Sequence, residues 1–241
     1  MLLDIQVMRP DDYVGFTFFI GYMAMFAASV FFFFERGSVD DKWKLSLLIS
    51  GLITGIAAVH YFYMRDYYMA TGENPTFFRY VDWTLTVPLM CVEFYLLTRA
   101  AGATKSLLWK LIIASTWMLV CGYIGESFSD GTTAHSVTWG VLSTLGYIYI
   151  LHAAWFGEVA QLAEKSNSDV VKRGVRTLAW FVLVGWAIYP IGFIMGEGGD
   201  AGDVENLNIL YNIADVVNKT AFGMMVWCAA TMDTKAAGSE E

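Results

Sequence analysis

The stretch NIADVVNKTAFGMMVW, residues 212–227, places an aspartate and a lysine four residues apart, Asp215 and Lys219, inside a long apolar run. An ionisable residue at the centre of a membrane span costs about 2.5–3.5 kcal/mol on insertion scales, and it persists where a partner or a cavity receives it. Whether this run is a membrane span therefore decides the fold. The composition says that it is. Of 241 residues, 56% are hydrophobic and only 16% are charged, against about 25% charged in soluble domains. An apolar excess of this size belongs to a polytopic membrane protein. The net charge of -8 argues against nucleic acid as a partner. Cys91, Cys121 and Cys228 lie in apolar stretches at spacings that match no metal or disulfide framework, and read as buried filler.

Working outward from that run, six more segments are long enough to cross about 30 Å of hydrocarbon at about 1.5 Å per residue. The seven spans are predicted near 12–34, 43–67, 76–98, 105–127, 134–157, 173–195 and 206–231. The stretches between them, among them ERGSVDDK, TRAAGATK and GEGGDAGDVE, are polar. The N-terminal MLLDIQVMRPDD has no signal-peptide h-region, so the first apolar run is read as the first span of a single domain, 1–241. Basic residues cluster at the first, third and fifth loops: Arg36, Lys42 and Lys44; Arg99, Lys105 and Lys110; Lys165, Lys172, Arg173 and Arg176. The sixth loop has no basic residue and carries Glu197, Asp200, Asp203 and Glu205. The positive-inside rule then puts the N-terminus outside and the C-terminus in the cytoplasm. The predicted fold is an all-α membrane protein, a seven-transmembrane-helix bundle.

The intramembrane charges form an ordered series. Helix three carries Arg79, Asp82 and Glu93, helix seven carries Asp215 and Lys219, and helix two carries His60. Asp82 and Glu93 are separated by three turns, about 16 Å of rise, on roughly one face. Thr86 lies one turn inward of Asp82 on that face. A lysine amine near mid-depth thus has two carboxylates on its outer side and one on its inner side. Desolvation disfavours the charged form of a buried amine, and a neutral amine is a nucleophile suited to an aldehyde. The cation formed by protonating that adduct needs a counterion, which Asp82 and Asp215 supply. Glu93 has no cation in sight and apolar neighbours, so it is expected to rest protonated. One carboxylate ready to accept a proton and one ready to donate suits proton transport.

The motifs RYVDWTLTVP with Glu93 downstream, DVVNK, and GWAIYP in helix six resemble a microbial (type 1) rhodopsin, and the likeness covers all seven helices. The Asp82, Thr86, Glu93 set is similar to that of the proteorhodopsin and xanthorhodopsin outward proton pumps. The resemblance implies all-trans retinal covalently bound on Lys219. It implies Asp82 as primary counterion and proton acceptor, Asp215 as second counterion, Arg79 as the outer-side gating cation and Glu93 as internal donor. His60 precedes Asp82 by 22 residues, as the histidine that pairs with the acceptor does in this group; otherwise it is a packing residue or a link to a backbone carbonyl. Trp83, Trp186, Tyr189 and Pro190 match the retinal pocket, and Pro190 is expected to kink helix six. Met90 matches the colour-tuning position, and an apolar residue there implies green absorption. No secure match exists for an outer carboxylate pair that releases the proton early; Glu197 and Glu205 are its candidates.

Gly140, in HSVTWGVLSTLGYIYILHAAWFGEV, falls beside the ring end of retinal when the end of helix five is aligned with relatives. Glycine there resembles the lateral window of xanthorhodopsin-like proteins, which implies a hydroxylated carotenoid antenna such as lutein or zeaxanthin. Ser143 and Gly146 nearby fit the plainer reading of close helix packing. The resemblance also implies a homo-oligomer, pentamer or hexamer, in the lipid bilayer of a bacterial cell membrane, with protons as the transported partner. A photosensory rhodopsin signalling through a partner transducer is the alternative; such sensors often lack a carboxylate at the Glu93 position. Sodium and chloride pumps carry other residues in place of the Asp–Thr–Glu set.

Overall fold

The computed structural model describes residues 11–128, 132–196 and 201–238. Among these residues every regular element is helical. The first five long helices are α1 Tyr13–Glu35, α2 Lys44–Thr71, α3 Thr76–Thr98, α4 Lys105–Ser127 and α5 Thr133–Trp155. A short helix α6, Glu158–Lys165, follows. The sixth long helix runs as α7 Asp169–Trp180, a π-helical turn Phe181–Gly185, and α8 Ile188–Gly196. The seventh runs as α9 Ala201–Val216, a π-helical turn Val217–Ala221, and α10 Phe222–Gly238. Consecutive long helices pack side by side, α7 also touches α10, and α9 returns to α1, so the bundle closes on itself.

Polar residues in the loops start these helices. The Asp12 carboxylate accepts from the Gly15 amide at 2.7 Å, and Thr104, Thr132 and Ser168 cap α4, α5 and α7 through their hydroxyls. Such caps satisfy amide donors that the first helical turn leaves free. Helix α2 continues to Thr71, past the predicted end at 67, because the stop is Gly72. Its φ of +70 is open to glycine at little cost, and its amide bonds Tyr68 O at 2.7 Å. The fifth connection, read as a polar loop, contains α6. Val159 and Ala163 are buried one turn apart on one face of that helix, while Glu158 pairs with Lys110 at 3.0 Å.

Charge and hydrophobicity are inverted relative to a soluble protein. Phe26, Val59, Ile113, Val141 and Val184 are each more than half exposed, whereas Arg79, Asp82, Glu93, Asp215 and Lys219 are buried. An apolar exterior round a polar interior is what a bilayer solvent selects. Among the described residues, six helical stretches are long and apolar enough to cross a membrane. The seventh, α9 through α10, carries Asn208, Asn212, Asp215 and Lys219 along one face at steps of four, three and four. Cys91 and Cys121 are buried as expected, but Cys228 is only half-buried.

The two π-helical turns face one another. A Cβ at Gly185 would lie 1.8 Å from Asn218 Oδ1, so a side chain there is excluded while Asn218 holds this position. The close approach lets Asn218 Nδ2 donate to Gly185 O at 2.9 Å. The break in the sixth helix therefore begins well before Pro190. Trp186 O, which a proline four residues on cannot bond, accepts instead from the Tyr189 amide at 3.2 Å.

Candidate functional site

Lys219 sits in the π-helical turn of the seventh helix, and its amine is 2% exposed. Its Nζ donates to Asp215 Oδ2 at 3.0 Å, one turn back, and to Asp82 Oδ2 across from α3. Asp215 is further held by Trp83 Nε1, at 3.1 Å to Oδ2, and by the Tyr189 hydroxyl. Two carboxylates thus converge on one amine, and an indole and a phenol from two other helices hold one of them, Asp215. Asp82 Oδ1 is buried without a hydrogen-bond partner, and a buried acceptor left open in this way costs about 1–3 kcal/mol. Thr86 donates to the backbone carbonyl of Asp82 at 2.9 Å, not to its carboxylate.

Beside the amine lies a cavity of about 340 Å³, a size seen in sites for small organic molecules, which span about 300–1,000 Å³. Lys219, Asp215 and Asn218 form its polar end; Trp83, Val87 and Met90 of α3 and Trp186, Tyr189 and Pro190 of the sixth helix form its walls. Leu119 and Gly122 of α4 and Gly140, Ser143 and Tyr147 of α5 complete it. Gly140 is half-buried, and its lining neighbours Val137 and Val141 are more than half exposed, so this part of the cavity lies close to the outer surface of the bundle.

Toward the Thr76 end of α3, Arg79 is 1% exposed. Its guanidinium donates to Asn208 Oδ1 at 2.7 Å, Asn212 Oδ1 at 2.9 Å, the Tyr61 hydroxyl at 3.4 Å and Asn74 Oδ1 at 3.4 Å. These partners are all neutral. Asn212 in turn donates to Thr17 on α1 at 2.9 Å. Toward the other end, both Glu93 carboxyl oxygens are buried without a hydrogen-bond partner. His60 is half-buried, with Nδ1 2.9 Å from Ile56 O; it lies within electrostatic range of Asp82 but shares no hydrogen bond with it. Glu205 is exposed, and Glu197 lies outside the described residues.

The structure therefore brings Asp82, Asp215, Lys219, Trp83 and Tyr189 together and puts Met90, Trp186, Pro190 and Gly140 on the adjoining cavity. Sequence reasoning missed Tyr61, Asn208, Asn212 and Asn218. The two asparagines on α9 had a signal: with Asp215 and Lys219 they make a single helical stripe of polar residues in an apolar run.

Fold and site together define a seven-helix membrane protein built round one buried lysine that opens into an apolar cavity. The chain belongs to the bacteriorhodopsin-like family, whose sequence model matches residues 12–232. It is 43% identical over 226 residues to the green-light absorbing proteorhodopsin of gamma-proteobacterium EBAC31A08, covering 93% of this chain and 89% of that one. Among solved structures it resembles a blue light-absorbing proteorhodopsin from Med12, with a TM-score of 0.78 and 42% identity over 92% of this chain and 100% of that one. It also resembles xanthorhodopsin, described as a light-driven ion pump with dual chromophore. There the TM-score is 0.83 and the identity 29%, over 93% of this chain and 94% of that one. The protein is thus a microbial (type 1) rhodopsin and a multi-pass bacterial membrane protein. The family implies retinal carried on a lysine. The residues present fit that group: a buried amine, an orphan carboxylate oxygen beside it, and an adjoining cavity walled by aromatic and branched side chains.

Proposed function

We propose that this protein is a light-driven outward proton pump with retinal on Lys219. The observation that carries the reading is the Lys219 amine held between Asp82 and Asp215 at the head of the cavity. Trp83, Met90, Trp186, Tyr189 and Pro190 would hold the chromophore along its length. Bound there, retinal supplies absorption of visible light and a light-induced change in the proton affinity of Nζ.

Asp82 then takes the Nζ proton on Oδ2, the oxygen that already accepts from Nζ, while Asp215, fixed by Trp83 and Tyr189, stays ionised and keeps the site near neutral charge. Glu93 returns a proton to Nζ from the opposite side and is refilled from the cytoplasm. The lack of a hydrogen-bond partner for either of its oxygens among the described residues supports this role. Arg79 gates the outer side, Thr86 fixes the backbone of Asp82, and His60 modulates Asp82 through space. In this reading the N-terminus is outside and the C-terminus cytoplasmic. Each cycle moves one proton from inside to outside. By the same resemblance the protein forms a homo-oligomer, pentamer or hexamer.

The finer part of the proposal is a carotenoid antenna, a hydroxylated molecule such as lutein or zeaxanthin lying against Gly140. Its support is the place of Gly140 on the cavity beside exposed Val137 and Val141. An action spectrum of pumping tests it: a blue, structured contribution appears with carotenoid and vanishes in Gly140→Trp. Pumping that follows only the retinal band in every sample removes the antenna. For the pump itself, cells supplied with all-trans retinal acidify the medium on illumination, and a protonophore abolishes the signal. Alkalinisation enhanced by an uncoupler would assign another ion, and no light-induced pH change would favour the sensor.

A further inference from the structure

On the outer side of α4 lies a partly buried carboxylate that the proton path above does not use. Glu126, in the last turn of α4, is half-buried, and its Oε1 accepts from Thr76 Oγ1 at 3.2 Å. Tyr80, one turn on from Thr76 on α3, reaches α4 one turn before this carboxyl, where its hydroxyl lies against Gly122. Tyr80 lines the cavity and packs edge-on against Trp83 at 5.2 Å, and Trp83 bonds Asp215. Arg79 and Tyr211 act on Glu126 through space, and on α5 His135 Nε2 lies 3.2 Å from Ile124 O, two residues before it. Glu126 therefore lies in the same polar cluster as the outer gate. The cluster's cation, Arg79, is bound only by neutral groups, so Glu126 is the carboxyl placed to answer a movement of that charge.

Charge counting points the same way. A protonated Lys219 amine with Arg79 balances ionised Asp82 and Asp215, so the buried set is neutral without Glu126. When Asp82 takes the Nζ proton, that cation and that anion are neutralised together, and the guanidinium, left with Asp215 as its buried counter-charge, can accept a second anion. We infer that Glu126 holds a proton in the dark and releases it to the outside at this step, making the edge between α3 and α4 the proton exit. The balance closes: Nζ gives its proton to Asp82, Glu126 gives one to external water, Glu93 refills Nζ and is itself refilled from the cytoplasm, and Asp82 later refills Glu126.

This inference rests on the pump reading, and the test separates the two. Flash photolysis of the retinal-loaded protein in lipid nanodiscs with a soluble pH dye times proton release against the blue shift that marks loss of the Nζ proton. The parent is expected to release with that shift. Glu126→Gln is expected to lose the early component and release only at recovery, with visible colour and the blue-shift rate unchanged, and Glu126→Asp to restore it. Infrared spectra in the dark provide a second measurement. A carboxylic C=O band is absent in Glu126→Gln, and it shifts in Thr76→Val, which removes the 3.2 Å donor but not the acid. Late release in the parent, or an unchanged release time and infrared band in Glu126→Gln, overturns the inference. Vesicles of the Glu126→Gln protein still pump outward if the main path is as described. Absence of pumping in the parent overturns that path instead.

Discussion

Gly185→Ala tests the contact between the two π-helical turns, on which the position of Lys219 depends. The added Cβ would lie 1.8 Å from Asn218 Oδ1 and 2.8 Å from its Cγ. Asn218 must swing away, losing its bonds to Gly185 O at 2.9 Å and to the Tyr189 hydroxyl at 3.3 Å. Two such bonds are worth about 2 kcal/mol together. Forcing the extra carbon into a filled contact adds about 1–3 kcal/mol. The better helix propensity of alanine offsets about 0.5–1 kcal/mol. The net expectation is a loss of about 3 kcal/mol.

A double-mutant cycle separates this contact from a general intolerance of the site. In an Asn218→Ala background the colliding atom and both bonds are already gone. There Gly185→Ala is expected to be neutral or slightly stabilising. Reversible unfolding in mixed micelles, followed by the visible band and by far-ultraviolet circular dichroism, gives the four free energies. Equal costs of Gly185→Ala in both backgrounds would refute the reasoning, because the clash is with Asn218 and with nothing else within 3 Å.

Lys219→Ala is expected to abolish the covalent visible chromophore; a band that survives denaturation in the variant places the attachment elsewhere. Glu93→Gln is expected to leave the dark colour nearly unchanged and to slow proton return to Nζ by about 10²–10⁴-fold, the usual worth of a positioned acid; flash photolysis showing an unaltered return rate assigns donation to another group. His60→Ala is expected to move the midpoint of the acid-induced red shift that accompanies protonation of Asp82, and an identical midpoint reduces His60 to its bond with Ile56 O. Asp233, beyond the predicted end of the seventh span, is partly buried, which alone would raise its pKa, but Lys42 at 2.7 Å and Trp43 at 2.8 Å hold it below the usual carboxylate range. A lowered folded-state value gives stability that is present above about pH 4 and lost as pH falls through that value, so Asp233→Asn is expected to cost about 1 kcal/mol at neutral pH and less in acid; a gap that does not narrow in acid would falsify this.

The seven long helices were legible because the apolar runs are long and the turns between them are polar. Both ends of α3 and α4 matched, since α3 follows a proline and α4 starts on a threonine cap. Helix α6 was not legible: it has only eight residues, half of them polar, and it forms because Val159 and Ala163 find cover. The charged members of the site stood out because ionisable residues in an apolar run are rare and costly. Their neutral holders did not. Asparagine and tyrosine carry no charge signal, and the π-helical turns depend on Gly185 meeting Asn218 across two helices, which no local pattern encodes.

The two halves of the bundle differ in a way that suits opposite tasks. Around Arg79, donors and acceptors from α1, α2, α3 and α9 are paired with one another. Such a network stabilises charge and changes state as a unit when one charge moves. Glu93 stands apart: neither of its buried carboxyl oxygens has a hydrogen-bond partner among the described residues. A buried polar atom without a partner costs about 1–3 kcal/mol, a cost that a fold alone has no use for. A proton donor does gain, because a carboxyl without partners keeps its proton until a stronger base appears nearby. A paired network about Arg79 and an unpartnered carboxyl at Glu93 set the two ends of the proposed path apart, while the direction of net transfer comes from the absorbed light. That asymmetry belongs to the protein chain itself and is set before any light is absorbed.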